Sequence, residues 1–477
     1  MRRDIHCILV LVGVMAGCVA EADAPAPGHA MAHVTLPPAD VGALDSLIQQ
    51  AVTDQGIVGL TVGVMQDGKM ILAKGYGSRS LEPREPVTPE TRMGIGSVTK
   101  EFTCSAALLL QEAGQLSMTD KVATYVPTAT RASEITLLDV GQHVAGYRDY
   151  YPLDFVVPEM QQDQPADTII ARYATRPLDF EPGTRWSYSN TGYIILGKAI
   201  EAASGKPFGT VLAERIFGPL GLTHTSYEAP TSEANVSKGY LSRAMADPIP
   251  ALPQEGRGWA GAAGAIYSTP TDLLTWDLAL MDGTLLTAPS YATLTTPRLL
   301  DDGRSTGYSC GLEVTSRPEA LILGHSGGVA GFNTQNVFIP STRSGIVLIS
   351  NTEGFSAGPI LNAAVDMLIP HVTVPTIAGL SAVDAATQFL ASLEQGTVDR
   401  GTLSDDFNAF LTDQQIATDR ASLAARGTVS DVRVTGLHER GGFEVATVVY
   451  MVGSTPARTS MYRSPDGKIQ QFLIGKQ

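Results

Sequence analysis

The strand-like segments of this chain fall into two widely separated groups, and that gap restricts what it can fold into. Residues 58–65 and 70–75 are β-type runs joined by Gln66-Asp67-Gly68-Lys69, a hairpin signature. Strand signals resume only at residues 307–314, 320–323, 336–339 and 344–350. Between the two groups, residues 89–283 read as mixed helices and loops. A helical period through Val41, Leu44, Leu47, Ile48, Ala51 and Val52 precedes the first group, and residues 359–369 read as a closing helix. The order is helix, strands, a long helical insertion, strands, helix. That is an α+β domain built on one mainly antiparallel sheet.

The flanks read differently. Arg2 and Arg3 precede an apolar run, residues 5–16, that is too short to span a bilayer, and small residues follow it. Residues 1–24 therefore read as a signal peptide, and the expectation is an exported chain, periplasmic or at the cell envelope. Met15-Ala16-Gly17-Cys18 is similar to a bacterial lipobox that would lipidate Cys18, while Ala20 or Ala22 could serve an ordinary signal peptidase. Membrane attachment is expected only through such a lipid on Cys18, because no other stretch is long and apolar enough to cross a bilayer. Residues 25–38, with Pro25, Pro27, Pro37 and Pro38, read as a linker. His29 and His33 inside it have i, i+4 spacing but no further ligands, so no metal site is expected there.

The main domain spans residues 39–371, a second linker 372–381, and a small α+β accessory domain 382–477. In that last part, residues 382–393 and 412–425 are helix-like. Residues 432–437, 443–451, 458–463 and 469–474 are strand-like, with Pro465-Asp466-Gly467 as a turn. His438, beside Glu439 and Arg440, reads as a solvated turn. Cys104 and Cys310 make neither a disulfide framework nor a metal spacing, and read as two buried thiols. With 33 Lys and Arg against 48 Asp and Glu, a net charge of −15, the chain lacks the cationic excess that phosphate binding needs. No nucleic-acid partner is expected.

Chemistry begins at Gly94-Ile95-Gly96-Ser97-Val98-Thr99-Lys100, where two glycines lead into a helix-like run, residues 97–112, ended by Gly114. Ser97 then sits at the helix N-terminus, with Lys100 one turn on and on the same face. A serine hydroxyl becomes a nucleophile when a neighbour takes its proton, and a lysine with a lowered pKa can do so. The helix N-terminus offers backbone N–H groups to a developing oxyanion.

Two further segments follow in order. Residues 181–190 carry Tyr188-x-Asn190 ahead of a helix-like run, 191–202, and Leu323-Gly324-His325-Ser326-Gly327-Gly328 carries His325-x-Gly327 at the end of a strand-like run. With Ser97-x-x-Lys100 these stand in the order and at the wide spacings of serine β-lactamases and penicillin-binding proteins. The chain resembles the class C β-lactamase and DD-peptidase-like serine hydrolase family, which also contains short-chain esterases and D-aminopeptidases. The resemblance covers residues 40–370, with supporting context in Lys74-Gly75-Tyr76-Gly77, Pro219-Leu220-Gly221-Leu222 and Gly264-x-x-x-Ser268-Thr269-Pro270.

That resemblance implies a β-lactamase/transpeptidase-like fold, an antiparallel sheet flanked by helices with a helical subdomain. It implies a serine hydrolase that forms a covalent acyl-enzyme on Ser97, assisted by Lys100, with no cofactor and no metal. Tyr188 would shuttle the proton to the leaving group, and Asn190 would hydrogen-bond the substrate amide and Lys100. His325, Ser326 and Gly327 would bind substrate, and the backbone N–H groups of Ser97 and Gly328 would form the oxyanion hole. A phenol lying between cationic groups has its phenolate favoured, so the pKa of Tyr188 is expected to fall towards working pH.

The implied substrates are small molecules or peptides cleaved at an amide or ester: D-amino-acid peptides, DD-carboxypeptidase substrates, or short-chain esters. Alternatives are a class C-like β-lactamase, and a sensor that binds penicillins or muropeptides with little turnover. A further one is a scaffold whose C-terminal domain carries the function. Where class C enzymes typically read Lys-Thr-Gly, this chain has His325-Ser326-Gly327. Histidine is partly charged near neutral pH and gives a substrate carboxylate less fixed positive charge. No motif resembles the deacylating Glu of class A enzymes, so D-peptide or ester hydrolysis is favoured over β-lactam turnover.

Gly324-His325-Ser326-Gly327-Gly328 also spells Gly-x-Ser-x-Gly, the nucleophile elbow of α/β-hydrolases. An elbow must lead into a helix, whereas Gly331, Asn333 and Asn336 and a strand-like run follow here. Ser326 is therefore not expected to be the nucleophile. His143 lies in a segment where the family usually reads Leu-Leu-x-His-x-Ser-Gly, with Val140-Gly141 and Ala145 here in place of the leucines and the serine. It is expected to satisfy backbone groups beneath the site.

Overall fold

The computed structural model describes residues 34–151, 159–230, 235–241, 248–250, 255–317, 320–370 and 375–474. The signal segment 1–24 with Cys18, and His29 and His33 of the first linker, lie outside these. The chain divides into two compact units, Met1–Pro370 and His371–Gln477.

In the first unit, α1 (Val41–Asp54) starts at Asp40, whose carboxylate accepts the Ala43 N–H at 2.9 Å. Strands β1 (Gly59–Gln66) and β2 (Lys69–Leu81) form the expected hairpin, and β3 (Arg84–Pro86) extends it. Asp67 and Gly68 at its tip both have positive φ, 54° and 69°, as a tight two-residue turn requires. The insertion contributes α2 (Thr99–Glu112), α3 (Asn190–Ser204) and α4 (Pro270–Met281). The second strand group is β4 (Glu313–Ser316), β5 (Leu321–Val329), β6 (Phe332–Ile339) and β7 (Ser344–Ser350), followed by α5 (Gly358–Leu368).

These strands make one seven-stranded sheet in the order β3-β2-β1-β7-β6-β5-β4, every pair antiparallel. β1 meets β7 with Leu60 opposite Ser350, so the two ends of the domain close on each other around the insertion. Every residue of β1 is buried, because both faces of the sheet are covered. Leu60, Val62 and Val64 share a core with Leu44 and Ile48 of α1 and Ile360 and Leu368 of α5. On the other face Gly63 admits α4, since a Cβ there would lie 2.8 Å from Pro270 Cβ.

Several strand boundaries differ from the sequence reading: β2 runs on to Leu81 instead of ending at residue 75, and β6 starts at Phe332 instead of residue 336. Residues 307–312 precede β4 rather than belonging to a strand, because Gly307 and Gly311 take positive φ, 68° and 83°, and break the extended backbone. Gly311 thereby comes against the first turn of α2, where a Cβ would lie 2.5 Å from the Lys100 carbonyl oxygen. β5 runs on through His325, Ser326, Gly327 and Gly328 instead of ending before them. The cysteines also depart from expectation. Cys104 of α2 and Cys310 are joined in a buried disulfide with a Cα–Cα separation of 5.7 Å, and are not two separate thiols. Gly141 makes room for it: a Cβ there would lie 2.6 Å from Cys310 Sγ, which leaves no space for the leucine usual in the family segment.

The second unit holds α6 (Ala382–Gln395), α7 (Asp405–Phe410) and α8 (Asp413–Ala424). Four antiparallel strands in sequence order complete it: β8 (Val429–Arg440), β9 (Phe443–Val452), β10 (Thr455–Arg463) and β11 (Ile469–Phe472). Its core joins Phe389, Leu390 and Leu393 of α6 to Val448, Tyr450 and Met461 of the sheet. His438 lies within β8, paired with Val445, and not in a turn. The short helix α7 was not legible from periodicity, being only six residues long.

Candidate active site

Ser97 is the middle residue of a 3₁₀ turn, Gly96–Val98, that runs directly into α2. Gly96 enters the turn with φ +52°, a conformation that side chains disfavour. A Cβ on Gly96 would lie 2.5 Å from the Gly328 nitrogen, and one on Gly327 would overlap the Ile95 carbonyl oxygen. Strand β5 therefore crosses the Ser97 turn backbone against backbone, and glycines on both sides permit it. This juxtaposition puts the Gly328 backbone beside that of Ser97, the two residues named for the oxyanion hole.

One turn further on, the fully buried Lys100 Nζ lies 3.0 Å from Ser97 Oγ, 2.8 Å from Asn190 Oδ1 and 2.7 Å from the Ala263 carbonyl oxygen. Burial lowers its pKa from 10.5 to about 7, against the opposing pull of the Asp149 charge. As an ammonium, Lys100 has three donors for three acceptors. As a neutral amine it keeps two N–H groups for Asn190 and Ala263, which leaves its lone pair facing the Ser97 hydroxyl. The Tyr188 and Tyr193 rings lie 4.8 Å and 5.2 Å from Nζ.

Tyr188 lines the same cavity as Ser97, but the expectation for its ionisation is overturned. Burial holds the phenol well above its usual pKa, an effect that outweighs the lowering by Ser97. The second cation assumed on its flank is also missing. His325 is buried, and desolvation, followed by the Lys100 charge, drops its pKa from 6.5 to about 3. Its Nδ1–H donates to the Ser326 carbonyl oxygen, so Nε2 accepts from the Tyr308 hydroxyl at 2.9 Å. His325 is a neutral ring tied to Tyr308, and not the partly charged group expected from sequence.

The remaining expected residues fall where the motifs suggested. Asn190 opens α3, and its Oδ1 faces Lys100. Ser326 is exposed on β5 and pairs with Gln335 of β6, in strand-to-strand context and without the helix an elbow requires. His143, at φ +59°, accepts the Ser189 N–H on Nδ1 at 3.1 Å, and its ring lies 4.3 Å from that of Tyr188. Burial first, then the Lys100 charge, keeps it neutral. It therefore supports Tyr188 from beneath.

A cavity of about 260 Å³ opens over this group, lined by Ser97, Asp149, Tyr150, Tyr188, Asn190 and Gly328 among others. Sequence reasoning missed three participants: Asp149, the Ala263 carbonyl and Tyr308. Asp149 lies three residues beyond Gly146, where the recognised His143 segment stops, and Ala263 immediately precedes the recognised Gly264 motif. Tyr308 had no local signal, since only tertiary folding brings it to His325.

Residues 44–368 match the protein-family model described as Beta-lactamase. A D-aminopeptidase of Brucella anthropi is 28% identical over 320 residues, covering 66% of this chain; the chain spans 60% of that relative's length. Among solved structures, a D-stereospecific amidohydrolase from Streptomyces sp. matches 68% of this chain and 98% of its own, with TM-score 0.59 and 24% identity. The octameric penicillin-binding protein homologue from Pyrococcus abyssi matches 90% of this chain and 97% of its own, with TM-score 0.62 and 21% identity. At those identities the two structures speak for the fold.

Proposed function

The chain belongs to the β-lactamase family, and from that premise we propose that it is a serine hydrolase that cleaves small amide substrates through an acyl-enzyme on Ser97. The observation that carries this reading is the Lys100 amine, 3.0 Å from Ser97 Oγ and held by two other acceptors. With burial bringing its pKa down to about 7, that amine is accessible in its neutral form near neutral pH and can take the hydroxyl proton. Ser97 Oγ then adds to the scissile carbonyl, and the oxyanion is met by the N–H groups of Ser97 and Gly328. Tyr188, kept protonated by burial, gives its proton to the departing amine and regains one from Lys100. Water, deprotonated by the same pair, attacks the ester and frees Ser97.

Two lines support amides of D-amino acids as substrates. The D-aminopeptidase and the D-stereospecific amidohydrolase are named for such chemistry. The neutral His325 supplies no fixed cation for a substrate carboxylate of the kind that DD-carboxypeptidases and β-lactamases handle. Export, with Cys18 as a lipid anchor, belongs to the same proposal and rests on residues 1–24. Steady-state assays on D-alanine amides, D-alanyl-D-alanine peptides, p-nitrophenyl esters and nitrocefin, run side by side, test the substrate class. D-amino-acid amides should give the highest kcat/KM. Faster turnover of nitrocefin would make the chain a β-lactamase instead, and a stable penicillin adduct without turnover would make it a sensor.

A further inference from the structure

We propose that Asp149 is the positioning residue of this site, holding the Asn190 amide with its oxygen towards Lys100 and so aiming the lysine lone pair at Ser97; the proposal rests on the hydrolase reading above. An asparagine amide has a donor end and an acceptor end of nearly the same shape, and which end faces Lys100 decides what Lys100 can do. The Asn190 Nδ2 lies 3.2 Å from both Asp149 Oδ1 and Oδ2, and the Asn190 backbone N–H donates to Oδ1 at 3.0 Å. The carboxylate only accepts, so the NH₂ end of the amide must face it. The oxygen is thereby left towards Lys100 Nζ at 2.8 Å.

Were the amide reversed, the neutral lysine would keep one acceptor, the Ala263 carbonyl, and could turn about its last bond. With the amide fixed, both N–H groups are occupied and the lone pair has one direction left. Asp149 acts on Asn190, Asn190 on Lys100 and Lys100 on Ser97, as the third group orients the base in a catalytic triad. The Tyr151 N–H, which donates to Asp149 Oδ1 at 3.2 Å, fixes the carboxylate in turn.

Asp149 also supplies the charge that opposes the effect of burial on Lys100. The other groups facing the lysine are uncharged: His143 and His325 are held neutral, and Tyr188 and Tyr193 stay protonated. Tyr150, beside Asp149, also remains a phenol. Arg148 does not neutralise Asp149, because it is paired with Asp179 at 2.6 Å. Removing the Asp149 charge should therefore make Lys100 lose its proton at lower pH.

The test is the rate of Ser97 labelling by a fluorophosphonate as a function of pH, in wild type, Asp149→Asn, Asp149→Ser and Asp149→Glu, each checked by thermal melting. Asp149→Asn keeps the size but not the charge, and its ascending limb should move down by roughly one pH unit. The plateau rate should fall roughly tenfold in Asp149→Ser, which takes the acceptor away from Asn190 Nδ2, and less in Asp149→Asn, whose oxygen can still accept there. Asp149→Ser stands in if the asparagine variant does not fold, and Asp149→Glu should restore the wild-type limb. A merely structural role would lower the rate equally at every pH. A limb that stays in place in a folded, uncharged variant overturns the role of Asp149 while leaving the hydrolase reading intact. Wild type that fails to label at Ser97 overturns both.

Discussion

Replacing Gly96 with alanine tests how the fold places strand β5 over Ser97. The residue has φ +52°, and an alanine there costs about 1 kcal/mol of backbone strain. Its Cβ would lie 2.5 Å from the Gly328 nitrogen and 2.9 Å from both the carbon and the oxygen of that residue. These are backbone atoms of a sheet strand, so the strand or the turn must shift by about an ångström, and overpacking of that kind costs roughly 1–3 kcal/mol. Together that is about 2–4 kcal/mol, a fall in Tm of roughly 3–6 °C for a unit of this size.

The same shift moves the Gly328 N–H away from Ser97, and losing one oxyanion donor should slow acylation by roughly 10²–10³-fold. Gly114→Ala is the control, because its φ is +68° but nothing lies within 4 Å of the added Cβ. It should cost only the strain, about 1 kcal/mol, and leave acylation unchanged. Thermal melting and the rate of fluorophosphonate labelling read both quantities. If Gly96→Ala melts like Gly114→Ala and labels at the wild-type rate, strand β5 does not press on the turn and the oxyanion assignment is wrong.

Wild-type kcat/KM should rise with pH through about 7, because Lys100 is a usable base only when neutral and its pKa is brought to about 7. His325→Gln, which can still accept from Tyr308, should leave that limb in place; a limb that vanished with it would return the titration to the histidine. Reducing the buried Cys104–Cys310 bridge, or replacing Cys310 with alanine, should cost roughly 2–5 kcal/mol in a denaturant melt. An unchanged midpoint would mean that the bridge does not constrain the unfolded chain. Cys18→Ala should move an envelope-anchored protein to the soluble fraction, and an unaltered distribution would leave secretion by ordinary cleavage.

The sheet was legible because its strands carry their own signals: β1 is apolar apart from Thr61 and its last residue, Gln66, and Asp67-Gly68 is a tight-turn pair. The site was legible for a similar reason, since Ser97 and Lys100 share one turn of helix and Tyr188-x-Asn190 opens another. What could not be read were properties created by burial. The pKa values of Tyr188 and His325 depend on desolvation, which no spacing reports, and the charge-based expectation for both failed in the same direction. The disulfide joins residues 206 positions apart that only the fold brings together, with Gly141 leaving room for it. Asp149 was missed because its importance lies in one hydrogen-bonded neighbour, Asn190, which is distant in sequence and close only in the fold.

The central claim is that Ser97 forms the acyl bond, and the direct measurement is peptide mapping of a fluorophosphonate adduct by mass spectrometry. Wild type, Ser97→Ala and Ser326→Ala should be treated in parallel. The adduct should sit on the peptide containing Ser97 and be absent from Ser97→Ala. Ser326→Ala should still label, slowed roughly tenfold by the loss of one hydrogen bond near the substrate. An adduct on Ser326 that survives in Ser97→Ala would contradict the account and make Gly324-His325-Ser326-Gly327-Gly328 the nucleophile motif.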